Sequence, residues 1–267
     1  MDFTGKVALV TGGGGGIGLS TCLAFARHGA KVVVVDYDAA LGEAAAGEVR
    51  AAGGQAIFAR ADVRSAADVQ GYVRAAVDAF GRIDCFFNNA GIEGKVGPIT
   101  EMDDDNWHAV IGVNLTGVYL GLKHVLPVML KQESGTVVNT ASTAALFGGP
   151  GMAAYVASKH GVAGITKVSS AEVARYGVRI NAICPGPVET RMMRSLEAQR
   201  NPADPEAVHA SNTAGMPTGR YTYPEEVANA VLYLCSDLSS NITGTQLVID
   251  SGRSATGGAM IAPRRNQ

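Results

Sequence analysis

A tyrosine and a lysine lie four residues apart in the stretch Tyr155-Val156-Ala157-Ser158-Lys159, inside a segment of helical periodicity. Side chains at positions i and i+4 share one face of a helix, about one turn apart. A phenol with its ordinary pKa of about 10 is a poor base at neutral pH, and a nearby ammonium group stabilises its phenolate form. The pair could therefore exchange protons with a substrate, although the same spacing is common in exposed helical pairs that have no function.

A glycine-rich turn follows the first predicted strand. It reads Thr11-Gly12-Gly13-Gly14-Gly15-Gly16-Ile17-Gly18, and a helix is predicted to begin within it. Because glycine has no Cβ, a diphosphate can approach the backbone amides of a helix N-terminus, where the helix dipole favours negative charge. Two dinucleotide-binding patterns fit these residues, G-x-G-x-x-G from Gly13 and T-G-x-x-x-G-x-G from Thr11. Spacing does not choose between them, and a flexible hinge is the remaining alternative.

An aspartate ends the second predicted strand, where it could accept hydrogen bonds from the adenosine ribose of a dinucleotide. The charge of this residue, Asp36, would repel the 2′-phosphate of NADP. No lysine or arginine lies in the glycine run, and Tyr37 follows the aspartate. The sequence therefore predicts NAD as the cofactor. The alternative is that Asp36 only begins the turn before Ala39.

Short β-branched runs alternate with longer segments of helical period, which predicts β-α-β units and a parallel sheet. The second run, Val32 to Val35, is apolar at successive positions, as expected for a strand covered by helices on both faces. We predict one domain over residues 1–267, of class α/β, with a Rossmann-type, doubly wound, seven-stranded parallel sheet flanked by helices on both faces. The predicted strands are 6–10, 31–36, 55–60, 83–88, 135–140, 178–184 and 245–250, and the six predicted helices are 17–28, 39–51, 66–80, 104–130, 152–176 and 224–236.

Two segments lack the periodicity of the rest of the chain. Residues 189–220 contain Pro202, Pro205 and Pro217, many polar residues and poor strand character, which predicts a lid over the substrate. Residues 253–267 carry no periodic pattern and are predicted to form an irregular tail.

Composition excludes several classes of partner. A net charge of −2 provides no field for a phosphate polymer, so nucleic acid is not expected. No basic segment followed by an apolar one begins the chain, and no run of about eighteen apolar residues occurs, so neither secretion nor membrane spanning is predicted. A charged fraction of 17% is low for a soluble domain, which favours an oligomer whose subunits cover part of the surface.

The four cysteines, Cys22, Cys85, Cys184 and Cys235, form no C-x-x-C pair and have no histidine at metal-ligand spacing. We therefore expect a reducing, cytoplasmic location and no bound metal. The histidines, including His160 beside Lys159, are expected to lie on helix surfaces or to pack.

Taken together, the motifs resemble those of the short-chain dehydrogenase/reductase family over nearly the whole chain. They are T-G-x-x-x-G-x-G at 11–18, Asp62-Val63, Asn88-Asn89-Ala90-Gly91, Asn114, Ser142, Tyr155 with Lys159, and Pro185-Gly186 with Thr190. The resemblance implies that Tyr155 is the general acid/base and that Ser142 orients the reacting oxygen. Lys159 would hold the nicotinamide ribose and tune Tyr155, and Asn114 would anchor a proton-relay water.

The resemblance also implies the cofactor contacts. Asp62 and Val63 would meet the adenine, and Val188 and Thr190 the nicotinamide carboxamide. The full predicted set is Gly12, Gly16, Ile17, Gly18, Asp36, Asp62, Val63, Asn89, Ala90, Gly91, Tyr155, Lys159, Pro185, Gly186, Val188 and Thr190, with Asn89 to Gly91 beside the adenosine ribose.

Several of these residues have a purely structural alternative. Ser142 could satisfy backbone groups at a strand end, and Asp62 could be an ordinary helix N-cap. Pro185 and Pro187 could only stiffen a turn, although they end a strand at the side where open α/β sheets bind ligands. Asn114 is unfavourable inside a helical stretch, which indicates a specific hydrogen bond without naming the partner.

The substrate is expected between residues 93–97, residues 143–152 and the predicted lid. An apolar pocket there would suit a hydrophobic cyclic or aryl secondary alcohol or its ketone. The stretch FFNNAGIEGK at 86–95 is also similar to that of family members acting on small cyclic ketones and alcohols. The predicted pocket residues are Glu93, Leu146, Phe147, Met152, Met192, Met193 and Leu196, although the apolar ones could equally only pack the lid.

Two other functions remain alternatives. One is reduction of 3-oxoacyl groups on an acyl carrier protein, for which Arg191, Arg194 and Arg200 could meet an acidic carrier. The other is a non-catalytic NAD-binding sensor or assembly subunit, against which the set of Ser142, Tyr155 and Lys159 argues. The family resemblance implies a homotetramer built through helices 104–130 and 152–176, with a dimer as the alternative.

Overall fold

Seven strands form one parallel sheet in a computed structural model, which describes residues 1–256. Their order is β3-β2-β1-β4-β5-β6-β7, which confirms the predicted doubly wound α/β fold. The strands are β1 (Val7–Thr11), β2 (Lys31–Asp36), β3 (Gln55–Arg60), β4 (Cys85–Asn88), β5 (Gly135–Thr140), β6 (Val178–Pro185) and β7 (Gln246–Ile249). All seven were predicted: the bounds of β2, β3 and β5 are exact, and those of the other four differ by one or two residues because strand ends carry little pattern.

Helices cover both faces of this sheet. They are α1 (Gly16–Arg27), α2 (Ala39–Ala51), α3 (Ala66–Phe80), α4 (Asp104–Ile111), α5 (Gly117–Gln132), α6 (Ala153–Val173), α7 (Arg191–Arg200), α8 (Pro205–Ala214) and α9 (Pro224–Cys235). Along β2, Val33 and Val35 pack into the core beneath α3, α5 and α6, whereas Val32 and Val34 pack beneath α1, α2 and α9. The unbroken apolar run of β2 therefore reflects burial on both faces, as predicted.

The predicted helix 104–130 is interrupted. A π-helical turn, Gly112–Thr116, joins α4 to α5, and the helix continues through Pro127 to Gln132. Within residues 1–256, the stretch Asp104–Gln132 is the one helix long and apolar enough to cross a membrane. Core helices of soluble proteins have the same character, and Val125 and Met129 of this helix are fully buried against the sheet.

The segment 189–220 contains two helices that the sequence analysis missed, so the predicted set of six helices was incomplete. Thr190 caps α7 by accepting a hydrogen bond from the Met193 amide, and Asp204 caps α8 by accepting one from the Ala207 amide. Pro205 occupies the first turn of α8, where its missing N–H costs nothing. Of the three prolines that indicated irregular chain, Pro205 therefore marks a helix start. Of the predicted tail, residues 254–256 form a 3₁₀ turn, and 257–267 lie outside the described residues.

Candidate active site

A cavity of about 950 Å³ runs along the carboxyl ends of the central strands. In the sheet order, β1 lies between β2 and β4, so the chain winds in opposite directions from β1, the position at which open α/β sheets bind ligands. Most residues predicted to bind cofactor or to act in catalysis line this cavity. They are Gly12, Gly16, Ile17, Asp36, Asp62, Val63, Asn89, Ala90, Gly91, Ser142, Tyr155, Lys159, Pro185, Gly186, Val188 and Thr190.

The glycine turn lies at the start of α1, and its geometry selects one of the two patterns that the sequence allowed. Gly12 and Gly16 have φ angles of 64° and 50°, in the left-handed region that favours glycine. A Cβ on Gly18 would collide with the carbonyl oxygen of Gly12, whereas one on Gly15 would meet nothing within 4 Å. The backbone therefore requires glycine at the positions of T-G-x-x-x-G-x-G. Gly18 itself does not line the cavity and acts through this close approach.

The N-terminus of α1 is free to receive an anion. Its N-cap, Gly15, makes no side-chain hydrogen bond to the helix, and the first turn carries no acidic residue. In contrast, α2 and α3 are capped by the side chains of Asp38 and Ser65. The first amides of α1, beside Gly16 on the cavity wall, could therefore hold a diphosphate.

Asp36 ends β2 on the cavity wall and is bound through both carboxylate oxygens. The Gly14 amide donates to Oδ2 at 2.9 Å, and the Asp38 amide donates to Oδ1 at 3.0 Å. The turn proposed as an alternative is thus present, yet the carboxylate also faces the cavity. Each oxygen retains acceptor capacity, so Asp36 could still accept hydrogen bonds from ribose hydroxyls.

Asp62 lies near Asp36 on the cavity wall and pairs with Arg64. The Arg64 Nη2 atom lies 2.6 Å from Asp62 Oδ2, and this hydrogen bond lowers the pKa of the Asp62 carboxyl. Ser65, and not Asp62, caps α3, so the N-cap interpretation of Asp62 was wrong. The sequence analysis also overlooked Arg64, a cation that lines this end of the cavity.

The segment after β4 is held against the end of β1. Thr11 is fully buried, and its hydroxyl oxygen accepts hydrogen bonds from the amides of Asn89 and Ala90 at 2.9 and 3.1 Å. The Asn89 side chain donates to the Thr11 carbonyl at 3.0 Å. Thr11 therefore fixes the position of two predicted cofactor contacts without lining the cavity itself.

Tyr155 and Ser142 approach each other at the cavity wall. Burial raises the pKa of Tyr155, and the negative charge of Glu93 adds to the rise, while a hydrogen bond with Ser142 opposes it. The sequence predicted a lowered pKa for this phenol. The opposite direction results because removing the phenolate from water outweighs the favourable contacts.

Lys159 is 2% exposed, and its ammonium nitrogen lies 5.6 Å from the centre of the Tyr155 ring. Burial lowers the pKa of Lys159 to about 8. The ammonium donates to the carbonyl of Thr140 at 2.7 Å. An ammonium has three donors, so the remaining ones could bind ribose hydroxyls in the cavity that Lys159 lines.

Ser142 serves the backbone as well as the cavity. Its hydroxyl oxygen accepts from the Ala144 amide at 3.1 Å and caps the 3₁₀ turn that follows β5. The hydroxyl also lies 3.4 Å from the carbonyl oxygen of Pro185, at the limit of a hydrogen bond. Because this hydrogen bond is long and weak, a substrate oxygen could replace the Pro185 carbonyl as the acceptor of the Ser142 hydroxyl proton.

Asn114 lies in the π-helical turn and is fully buried, outside the cavity lining. Its amide accepts from the Ile92 nitrogen at 2.8 Å and donates to the Ile92 oxygen at 2.9 Å and to the Ser158 hydroxyl at 3.2 Å. This is the specific hydrogen bonding that an asparagine in a helix indicated. The side chain joins the segment after β4 to the helix that carries Tyr155.

The far end of the cavity brings together part of the predicted substrate pocket. Met152, Met192, Met193 and Leu196 line it, whereas Glu93, Leu146 and Phe147 do not. Leu146 and Phe147 are 38% and 48% exposed. Arg191, Arg200 and Asn212 also line the cavity, so this end is less apolar than the sequence predicted.

Known proteins match the chain over almost its full length. A family model described as "Enoyl-(Acyl carrier protein) reductase" matches residues 12–254. Levodione reductase from Leifsonia aquatica is 42% identical over 95% of the chain and 96% of that protein, and cyclohexanol dehydrogenase from Acinetobacter sp. (strain SE19) is 40% identical over 93% and 94%. The chain belongs to the short-chain dehydrogenase/reductase family.

Solved structures of short-chain dehydrogenases/reductases agree with this assignment. A crystal structure of levodione reductase superposes with a TM-score of 0.93 at 42% identity, covering 95% of the chain and 99% of the other. A crystal structure of NAD⁺-bound xylitol dehydrogenase superposes with a TM-score of 0.90 at 37% identity, covering 93% of the chain and 99% of the other. The chain is therefore an oxidoreductase, a short-chain alcohol dehydrogenase or ketone reductase, of a family that uses a nicotinamide cofactor.

Some residues of this short-chain dehydrogenase/reductase site gave no sequence signal. Thr140 acts through its backbone carbonyl, and Ile92 through both of its backbone groups. Ser158 did carry a signal, since a polar residue between Tyr155 and Lys159 falls on a buried part of α6.

His160 contacts its own helix through the Val156 carbonyl. Residues 1–256 contain no cluster of three or more His, Cys, Asp or Glu side chains that could hold a metal.

Proposed function

We propose that the protein is an NAD(H)-dependent oxidoreductase that interconverts a hydrophobic cyclic or aryl secondary alcohol and its ketone. One observation carries the proposal: Tyr155, Ser142 and Lys159 share the wall of a cavity that also contains Asp36 and the open N-terminus of α1. The nicotinamide, when bound, supplies or accepts the hydride. The chain supplies the proton, the orientation of the substrate and the binding of the dinucleotide.

Tyr155 is the proton donor in ketone reduction and the base in alcohol oxidation. The raised pKa of Tyr155 keeps the phenol protonated at neutral pH, ready to protonate the substrate oxygen. Ser142 donates a second hydrogen bond to that oxygen and stabilises its developing negative charge. Lys159 binds the nicotinamide ribose, and its positive charge favours the phenolate left on Tyr155.

Asn114 positions the segment after β4 relative to the helix that carries Tyr155. Through Ile92 and Ser158 it holds the segment after β4 against the start of α6. We propose that a water on this segment passes protons between Lys159 and solvent. The remaining predicted contacts keep their proposed roles, with Asp62 and Val63 beside the adenine and Val188 and Thr190 beside the carboxamide.

Asp36 supports NAD over NADP as the cofactor. A 2′-phosphate placed near this carboxylate would be repelled, and the adjacent Arg64 is already paired with Asp62. The relatives named for levodione and cyclohexanol support a cyclic substrate. Met152, Met193 and Leu196 would pack on its ring.

The carrier-protein alternative is less favoured. Of the three arginines that it required, Arg194 is engaged by Glu189, Glu197 and Glu206 and is not free to meet an acidic carrier. A non-catalytic role is also less favoured, because a sensor has no need of a buried lysine beside a cavity-lining tyrosine.

The assembly and location are proposed on separate grounds. Trp107, Tyr119 and Val168 expose apolar surface on α4, α5 and α6, which supports a homotetramer built through these helices.

The four cysteines are free and buried, which fits a cytoplasmic enzyme. Residues 189–220 would close over the substrate as a lid.

Initial rates test the proposal. Purified protein is assayed with NADH and NADPH against cyclic ketones, aryl ketones and a 3-oxoacyl thioester, and with NAD and NADP against the matching alcohols. We expect turnover of cyclic or aryl ketones with NADH. A preference for the thioester with NADPH would support the carrier-protein alternative instead.

A further inference from the structure

A buried carboxylate lies on α7, away from the catalytic residues. Glu197 is 1% exposed and accepts hydrogen bonds from the Tyr221 hydroxyl at 2.8 Å and from His209 Nδ1 at 3.0 Å. Arg194 Nη1 lies 3.2 Å from the other carboxylate oxygen. Burial raises the pKa of Glu197, but these hydrogen bonds and the charge of Arg194 together hold the pKa below its ordinary value.

The partners of Glu197 come from separate parts of the chain. Arg194 is on α7, His209 is on α8, and Tyr221 follows α8 in a segment whose next residue, Thr222, bridges to Val188. The rings of His209 and Tyr221 pack edge to face, with centroids 4.7 Å apart. Glu197 therefore joins α7, α8 and the chain beside the predicted carboxamide contacts.

The helix that carries Glu197 also forms part of the wall of the cavity. Met193 and Leu196 line it, one helical turn or less from Glu197. At the end of the helix, Arg200 lies 3.9 Å from the sulfur of Met152, in the loop before the helix of Tyr155. A rotation or shift of α7 would therefore move the cavity wall and the Glu197 contacts together.

We propose that Glu197 is a positioning residue for substrate binding, fixing α7 so that Met193 and Leu196 keep their places on the cavity wall. The inference rests on the proposed function, because it assigns this end of the cavity to the substrate. A buried carboxylate with three partners is suited to the role, since each partner left unpaired in another arrangement would be penalised.

Glu197→Gln tests the inference, because it keeps the size of the side chain and removes its charge. Glu206→Gln is the matched control, since Glu206 also faces Arg194, at 3.7 Å, but is 81% exposed. Tyr221→Phe removes only the hydrogen bond from the Tyr221 hydroxyl to Glu197, and it tests the proposed role of Glu197 if Glu197→Gln does not fold. The measurements are KM and kcat for ketone reduction, the Kd for NADH and the thermal unfolding temperature.

We expect Glu197→Gln to raise the substrate KM about tenfold, the scale of a lost hydrogen bond to a charged group, with kcat changed far less. Tyr221→Phe should raise KM by a smaller factor, and Glu206→Gln should match the wild type. The Kd for NADH should change far less than the substrate KM in Glu197→Gln and Tyr221→Phe, because the glycine turn and Lys159 lie outside the network and only the carboxamide contacts adjoin it.

Other results would overturn the inference. Unchanged KM in Glu197→Gln and Tyr221→Phe, with only a lower unfolding temperature, would make the network purely structural. An equal rise of KM in Glu206→Gln would indicate a general charge effect. A wild-type protein that binds NADH and reduces no ketone would defeat the proposed function and this inference with it.

Discussion

The ammonium nitrogen of Lys159 lies 5.6 Å from the centre of the Tyr155 ring, and both side chains are withdrawn from water on one wall of the cavity. Burial acts on the two groups in opposite directions, raising the pKa of the phenol and lowering that of the amine to about 8. In both cases it favours the neutral form. At neutral pH the Lys159 amine, with a pKa of about 8, is still largely protonated, whereas Tyr155 is a neutral phenol, so a cation stands beside the group that is to exchange a proton.

Replacing Tyr155 by phenylalanine removes the proposed proton donor and leaves the ring in place. We expect turnover to fall by at least about a hundredfold, the usual contribution of a general acid or base, with little change in NADH affinity. Stopped-flow rates and NADH titration measure the two effects. Tyr119→Phe, at an exposed tyrosine on α5, is the control and should leave both unchanged. Near-normal rates in Tyr155→Phe would remove Tyr155 from the mechanism.

The two reaction directions should respond oppositely to pH. Ketone reduction needs Tyr155 protonated, and because its pKa is raised, the reduction rate should hold through neutral pH and decline in the alkaline range. Alcohol oxidation needs the phenolate, so its rate should climb as pH increases. The Lys159 charge that favours the phenolate is lost above a pH of about 8, which should flatten that climb.

Profiles of kcat/KM against pH, measured in both reaction directions, show the alkaline decline of reduction and the climb of oxidation. Ser142→Ala removes the hydrogen bond that lowers the Tyr155 pKa, so it should displace the alkaline limb of reduction further upward. An oxidation rate that falls between neutral and mildly alkaline pH would contradict the assignment.

Asp36→Ala tests the choice of dinucleotide. Removing the carboxylate should weaken NADH binding by roughly tenfold, because hydrogen bonds to a charged group are lost. NADPH binding should improve relative to NADH at the same time, since the 2′-phosphate no longer meets a negative charge. Fluorescence titration with both dinucleotides gives the ratio. A wild-type protein that already prefers NADPH would refute the interpretation of Asp36.

Much of this site was open to sequence reasoning because its residues combine a chemical type with a spacing. The five consecutive glycines of the turn are different, since two patterns fit them equally well. Only the backbone distinguishes them, through the left-handed Gly12 and Gly16 and the open space around Gly15. The contribution of Thr140 is likewise hidden, because a carbonyl oxygen is common to every residue.

The prediction of an irregular segment over 189–220 was wrong for another reason. Its helices are short and are stabilised by contacts between distant residues, such as Glu197 with Tyr221, which local periodicity does not report. The start of α8 carried a signal, because Asp204-Pro205 is a good N-cap followed by a proline at the first helical position. The six predicted helices, in contrast, have long periodic faces on the sheet.

Asn114 and Asn106 make the same pair of backbone contacts in different surroundings. Asn114 binds the amide and carbonyl of Ile92 at 2.8 and 2.9 Å in a buried site, and Asn106 binds those of Lys95 at 2.9 and 3.4 Å near the surface. Asn114→Ala should cost about 2–4 kcal/mol of unfolding free energy, because two partly buried backbone groups and the buried Ser158 hydroxyl lose their partner. Asn106→Ala should cost less than about 1 kcal/mol, since water can replace the amide.

Denaturant unfolding of both asparagine variants gives the comparison. Equal losses would mean that burial of the Asn114 contacts adds nothing to their strength. Asn114→Ala should also slow turnover by more than Asn106→Ala, because Ser158 and the start of α6 lose an anchor.

Gln199 ties α7 to the segment after β4, and its loss should loosen the substrate end of the cavity. Its amide accepts from the Val96 nitrogen at 2.9 Å and donates to the Gly94 carbonyl at 3.2 Å, as a neighbouring strand would. Because these bonds are solvent-exposed, Gln199→Ala should raise the substrate KM only a few-fold.

Gln199→Glu separates the two hydrogen bonds, since a carboxylate still accepts from Val96 but repels the Gly94 oxygen instead of donating to it. Gln199→Glu should therefore raise the substrate KM at least as much as Gln199→Ala does. Ala198→Ser, at the exposed neighbouring position on α7, controls for a change of helix surface and should match the wild type. Limited proteolysis reports the loosening independently of activity, with faster cleavage expected in residues 93–97 of both Gln199 variants. Unaltered KM and cleavage in Gln199→Glu would mean that this segment keeps its position without α7.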